Sequence, residues 1–473
     1  MRSTLRHIRH LHNRAGFGLT AAGLGQVSNQ SVVAEAERLC KKAVEEKPIL
    51  ILDEALLKKY SDQRNMIRGE SLKQLVRKEV KASRERIPDL NVQWMDQMID
   101  PQSVVREKLT LFWHDHFSVR NSAGHYIQKH NNTLRRHALG KYGDLLLAVA
   151  KDPAMLLFLN NQQNRKRRPN ENFARELLEL YTLGRGHYSE QDIKHAARAF
   201  TGWSFDQFTS EYHFRRRFHD FGDKDFMGHK GNLNGDDIVN IVLSNEQTGR
   251  FLARKLFQFY VSDTPHEDII SSLGARLYKT DYDIGDLLGY MFAADWFYED
   301  RFVNNKIKSP IELINNLRVH LGVTFEQPKA LIYLERVLGQ VLFFPSNVNG
   351  WPLGRGWIDS SSLINRMRLP AAMAKGSLLG MGPRDDGDNS PMNLTGEALL
   401  RAVSLNLDGF DLLTKGEVTD SELVTTYAEF LLNQELPVST QAAISQELKR
   451  QKDKNKRPWL VTTLAGLPEY QLS

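Results

Sequence analysis

Apolar positions recur at helical spacing along most of the chain. Val105, Leu109, Phe112, Trp113 and His116 fall on one stripe at i, i+4, i+7, i+8 and i+11. Ile193, Ala196, Ala197 and Phe200 form another behind a capping-box-like start at Ser189 and Asp192. Leu252, Leu256, Phe259 and Tyr260 repeat the pattern. Ser309-Pro310-Ile311-Glu312 is a strong helix start, with Ser at the N-cap and Pro at the first helical position. Residues 32–81 read as two or three amphipathic helices, 127–139 as another and 144–150 as a short apolar one. Strand signals are sparse, limited to Tyr212–Phe218 and Val341–Phe344. The expected fold is mainly α: a multi-helical globular assembly with a few short strands and long ordered loops at 205–236 and 344–360.

Glycine- and proline-rich punctuation divides the chain. We expect an N-terminal helical region at 1–85, a central helical domain with a polar site at 86–375, a linker or exposed loop at 376–394 and a small helical unit at 395–473.

One segment breaks the usual amphipathic pattern. In RPNENFARELLELY, Pro169 stops what precedes it and Asn170 can cap the helix that follows. A continuous helix puts Asn172, Arg175, Glu176 and Glu179 on one face. Phe173, Leu177 and Leu180 flank that stripe on one side, and Ala174, Leu178 and Tyr181 on the other. A narrow charged stripe between two apolar flanks points to a cleft or a buried network rather than a solvated face.

Composition adds limits more than direction. At 473 residues, 41% hydrophobic and 25% charged, the chain has the make-up of a globular protein of several packed units. No apolar run reaches the roughly 18 residues that a membrane span needs. The basic N-terminus lacks a hydrophobic signal region, so a cytoplasmic location is expected. The single Cys40 fits a reducing compartment and, with no motif around it, reads as a packed thiol. Net charge is +6, with basic runs at Asn164–Arg168 and Lys449–Arg457. Without a visible basic face, interleaved aromatics or a known module, these read as solvated loop charge, and nucleic acid is not the expected partner.

Five of the 15 histidines lie between His114 and His137. In LFWHDHF, His114, Asp115 and His116 are familiar metal-ligand types. In a continuous helix the two histidines point about 200° apart; only an extended chain after Trp113 would let both face one ion. His116 also reads as a packed core histidine, and His114 aligns with Glu107. Glu176 and Glu179 form the best carboxylate pair, since mutual repulsion raises at least one pKa and suits acid–base work. Arg175 opposes that shift, so a structural Asn-Arg-Glu-Glu brace is the competing reading. The loop after His219-Asp220 is rich in Asp but lacks EF-hand spacing, and reads as a turn-rich loop with capping aspartates. The loop Phe343–Ile358, with two tryptophans, reads as a plug or a pocket wall. No P-loop, nucleophile elbow, HExxH or paired CxxC occurs.

Several segments in series carry a family resemblance: HLHNRAGFG (10–18), REKLTLFWHDHF (106–117), LRRHALGKYGDLLLAVAKDPAMLLFLNN (134–161), PNENFARELLELYTLG (169–184), IKHAARAFTGW (193–203), FLARKLFQFYV (251–261), KSPIELI (308–314) and NVNGWPLGRGW (347–357). Through them the chain resembles the bacterial family catalogued as domain of unknown function 1800. The resemblance implies a mostly helical fold and assigns no reaction. Many relatives carry export signals and lie beside an alkaline-phosphatase-like, sulfatase-like companion family, which is the partner the resemblance implies. It carries over His114, Asp115 (Asn in many relatives), His116, Asn170, Glu171, Asn172, Arg175, Glu176, Glu179, His219 and Asp220 as motif positions.

The expectation is therefore a metal-assisted hydrolase. Glu176 and Glu179 would be acid–base groups or ligands of a divalent metal, with His114 and His116 as further ligands. Arg175, Asn170 and Asn172 would hold an anionic substrate group, and Glu107, His219 and Asp220 would support the site. The alternatives are a non-catalytic helical scaffold or partner subunit, and a helical redox protein holding haem non-covalently.

Overall fold

The computed structural model describes residues 2–42, 46–52, 70–120, 123–375, 381, 403–414 and 417–473. The expected linker at 376–394 lies outside the described residues except for Met381. The fold is mainly α. Among the described residues the sheet content is three two-stranded antiparallel ribbons, each strand two or three residues long. No helix among them is long and apolar enough to cross a membrane.

Local chemistry explains most helix starts. Ser189 and Asp192 form the anticipated capping box, as do Ser309 and Glu312 ahead of Pro310–Leu321. Asn234 and Asp237 form another at the end of the Asp-rich loop. That loop is otherwise two short ribbons, Trp203–Phe205 with Tyr212–Phe214 and Lys224–Phe226 with His229–Gly231. Its aspartates thus act largely as caps and turn anchors.

Val341–Phe344 is not a strand. Leu342 N–H donates to Glu335 Oε2 at 3.0 Å and Phe343 N–H to His114 Nε2 at 3.1 Å. Phe343 takes a left-handed backbone at φ 70. The run is apolar because it plugs the interior, and the plug satisfies its N–H groups with buried side chains instead of a ladder.

Val104–His116 lies at the centre. Eleven of its 13 residues are buried, including Arg106, Glu107, Lys108, Thr110, His114 and His116. The Arg2–Ala15, Ile87–Met98 and Gly124–His137 helices pack against it. Burying so many polar groups costs free energy unless each finds a partner, so this helix dictates what its neighbours must offer. Distant segments meet that demand. Lys108 Nζ donates to Gly16 O at 3.0 Å, and Arg106 Nη1 donates to Arg135 O at 2.6 Å.

Candidate functional site

The N-terminal half of the central helix carries a closed structural network. Arg135 grips Glu107 through Nε at 2.8 and 3.1 Å and Nη2 at 3.0 Å. Trp94 Nε1 and Gln97 Nε2 donate to the same carboxylate at 2.8 and 2.9 Å. Both Glu107 and Arg135 are fully buried. With all its oxygens engaged and no opening, Glu107 braces three helices and is not placed to meet a substrate.

The helix continues through His116, so the extended geometry that would let both histidines face one ion does not form. His114 packs against Trp94, Phe343 and Trp351. Its Nε2 accepts from Phe343 N–H, which leaves the proton on Nδ1, a buried atom with no hydrogen-bond partner. His116 faces the opposite way. Its Nε2 lies 3.1 Å from the Tyr142 hydroxyl, which itself donates to Tyr181 O at 2.5 Å. The hydroxyl can then only accept from His116, so the proton sits on Nε2 and Nδ1 is the free base. Burial holds both imidazoles neutral, lowering each pKa to about 3; His130 and Arg135 add to the effect at His114, and Lys255 at His116.

Between them Asp115 points a third way. Its Oδ1 accepts from Trp351 N–H at 2.8 Å. Burial pushes its pKa up to about 6, against the opposing pull of that N–H and of Lys255. Lys255, from the Glu246–Tyr260 helix, has no salt-bridge partner among the described residues, and burial lowers its pKa against the opposing pull of Asp115. Asp115, His116 and Lys255 line one cavity of about 20 Å³ with Leu180 and the loop residues Val348, Asn349 and Leu353. A second cavity of about 30 Å³ shares Asp115 and Leu353 and continues to Asp263, Lys306, Glu312, Trp351 and Trp357. Each has room for one or two waters, far too little for a porphyrin ring.

The two-tryptophan loop is the wall of both cavities. Gly350 (φ 83) and Gly354 (φ 53) adopt backbones that side chains resist, and an added Cβ would strike Asp115 and Asp263 respectively. The glycines let the loop's backbone lie directly on the two carboxylates.

Behind the second cavity lies a buried charge cluster. Lys108 Nζ meets Glu312 Oε1 at 2.6 Å and Lys306 Nζ meets Oε2 at 3.2 Å. Burial would raise the Glu312 pKa, but these ammonium groups hold it well below the usual carboxylate range. Lys108 is pushed down to about 8, chiefly by burial.

The RPNENFARELLELY segment folds differently from its pattern. Asn172–Glu176 is a short α-helix that passes into a π-helix at Leu177–Thr182. The wider turn breaks the single-face register that the four polar positions would share in a regular helix. Arg175 is occupied: it pairs with Glu190 at 2.8 Å and Glu171 at 3.2 Å. Glu179 accepts from Tyr188 at 3.1 Å and pairs with Arg185 at 2.5 Å. Glu176 is half-buried; burial and then Glu179 raise its pKa. Asn170 Oδ1 accepts from Asn172 N–H at 3.0 Å, a local turn that starts the helix, and Asn172 itself is exposed. The π-helix nevertheless joins the interior site through Leu180 and Tyr181 O, the two residues after Glu179.

His219 and Asp220 sit elsewhere. His219 Nδ1 lies 2.8 Å from Thr201 O, and Asp220 pairs with Arg198 at 2.7 Å. Burial lowers the His219 pKa. Asp220 fixes the Asp-rich loop to the Glu190–Ala199 helix, and His219 fixes it to Thr201 just past that helix's end.

Among the described residues no group of three or more His, Cys, Asp or Glu side chains is placed to hold a metal ion. The expected donor set of His114, His116, Glu176 and Glu179 is therefore not assembled there. Sequence reasoning missed Lys255, Lys306, Glu312 and Tyr142 as site residues. Lys255 hides in an ordinary amphipathic helix, and Glu312 reads fully as a cap residue. Asp115 stood in plain view between two histidines that drew the metal reading.

A family model described as "Protein of unknown function (DUF1800)" matches residues 10–472. No curated protein and no solved structure matches the chain.

Proposed function

The chain belongs to the DUF1800 family, whose description assigns no reaction, and from the interior geometry we propose that it is an acid–base enzyme of hydrolytic type centred on Asp115. One observation carries this reading. Asp115 has its pKa raised to about 6, lines a water-sized cavity, and faces a lysine without a salt-bridge partner among the described residues. The Glu107 and Glu312 carboxylates are instead paired with buried cations. A carboxyl group poised near neutrality can take a proton from an attacking water and return it to a leaving group. The Lys255 ammonium would stabilise the negative oxygen that develops in between. His116, neutral and fixed by Tyr142, would be a hydrogen-bonding group on the same wall.

No step is assigned to a metal, because the described donor groups do not converge on one. Each cavity has room for only one or two waters, so a larger substrate would need the Asn347–Trp357 loop to lift from Asp115 and Asp263. Glu176 and Glu179 would act from the neighbouring turn as a rim, tuning the π-helix rather than touching the reacting bond.

The test is a panel of chromogenic carboxylate, phosphate and sulfate esters, assayed with wild type, Asp115→Asn, Lys255→Met and Glu179→Gln. Turnover of at least one class is expected, falling about 10²–10⁴-fold in Asp115→Asn while the fold is retained. Wild type inert on the whole panel, or Asp115→Asn fully active, contradicts the proposal. The non-catalytic scaffold has its own support in the sealed Glu107–Arg135 network, and it predicts that Asp115→Asn changes stability alone.

A further inference from the structure

The chain builds a second concavity of different chemistry, which shares no lining residue with the interior site. It is open, about 1060 Å³, and lined by Arg165, Lys166, Arg167, Arg168 and Arg217, with Glu171 as its single acid. Glu171 is already engaged by Arg175 at 3.2 Å. None of the five cations has a salt-bridge partner among the described residues, and all five side chains are exposed.

The cations are held in place by backbone. Asn164 is fully buried; its Nδ2 donates to Ala197 O at 2.8 Å and its Oδ1 accepts from Asn170 N–H at 2.9 Å. That side chain pins both ends of the basic turn. Within it Arg168 N–H donates to Arg165 O at 2.8 Å, and Lys166 N–H donates across to Phe218 O at 2.8 Å. Arg215 Nη2 donates to Gln162 O and ties the opposite wall. Four consecutive cations on a tight turn repel one another, and an ordinary solvated loop would relieve this by spreading. Here the fold fixes the backbone of the turn around a hollow, which keeps the four charges close and lowers the ordering cost of binding an anion.

We infer that this concavity is a binding site for a small polyanion carrying two or more phosphate or sulfate groups. Guanidinium forks match tetrahedral oxyanions in pairs, and several anionic groups are needed to engage cations from both walls. The concave shape suits a ligand of small-molecule size rather than a flat bilayer surface. Single-stranded nucleic acid would call for an open aromatic face, but Arg165 and Arg215 lie over the Phe218 ring at 4.6 and 5.1 Å from its centroid. The inference stands independently of any reaction at Asp115.

Calorimetric titration of the full chain at low salt tests it. The probes are tripolyphosphate and sucrose octasulfate, whose relative affinity separates a phosphate from a sulfate source. Saturable binding is expected, weakening as salt rises. Arg167→Glu with Arg168→Glu, on exposed positions, should weaken it by about tenfold or more without a change in melting temperature. Lys452→Glu with Lys454→Glu, in the other basic run, should leave it within about twofold, because those charges share no concavity with the site. Absence of saturable binding, equal loss in both charge-reversal pairs, or tighter binding of a single-stranded oligonucleotide or anionic vesicles than of either probe would overturn the inference.

Discussion

The Val104–His116 helix and the Asn172–Thr182 segment both set charged residues among apolar ones, yet they resolve those charges in opposite ways. The first buries them. Glu107 is held by Arg135, Trp94 and Gln97 and Lys108 by Glu312 and Gly16 O, whereas Asp115 faces a cavity with, among the described residues, one backbone donor on Oδ1. The second keeps its charges near solvent, where Arg175, Glu179 and Arg185 satisfy one another or nearby acids. A conspicuous charge pattern therefore marks where polar groups are numerous, while the reactive group is the one whose environment leaves it short of a partner.

The largest expected effect separates the two regions by chemistry. Turnover should fall about 10²–10⁴-fold in Asp115→Asn, whereas Arg175→Ala should leave it within about tenfold. Comparable losses in both would erase the contrast. Stability should divide the same way. Arg135→Ala strands Glu107 in the interior and should cost about 3–5 kcal/mol in denaturant unfolding. Arg175→Ala breaks partly exposed pairs and should cost about 1 kcal/mol or less.

A finer contrast comes from pH. The Asp115 pKa is raised on folding from 3.8 to about 6. The folded state therefore holds this proton more tightly than the unfolded chain, and the stabilisation this gives is present below pH 4. It is lost as pH rises to about 6, a change of up to about 3 kcal/mol. Asp115→Asn should accordingly gain stability relative to wild type between pH 4 and pH 7. Gly350→Ala, which forces a Cβ against Asp115 from a left-handed backbone, should cost about 1–3 kcal/mol and lift the loop. The smallest effect belongs to the surface pair Arg250–Glu267, whose removal should pass almost unnoticed in the melting temperature.

Much of the helical fold could be read from spacing and caps, because those signals are local. Ser189 with Asp192 and Ser309 with Glu312 announce their helices within four residues. The Leu177–Thr182 π-helix could not be read so, since Phe173, Leu177 and Leu180 fit an ordinary helix equally well. Val341–Phe344 misled for a related reason. An apolar run signals burial, and only the distant His114 and Glu335 side chains decide that it is a plug. The site was half legible. The WHDHF segment drew notice through its histidines, but the partners that set Asp115 apart, Lys255 and Trp351, lie well over a hundred residues away. Glu312 shows the same limit: its capping role is local, while its grip on Lys108 is visible only once the helices are packed.

Acid–base chemistry at this site requires that Asp115 exchange its proton near neutrality inside a folded, water-sized cavity. The direct measurement is the ¹³C NMR titration of aspartate carboxyl carbons in the intact chain, with Asp115→Asn identifying the resonance. A midpoint near 6, moving higher in Lys255→Met, is the predicted result. A midpoint at or below 4, unmoved by Lys255→Met, would contradict it.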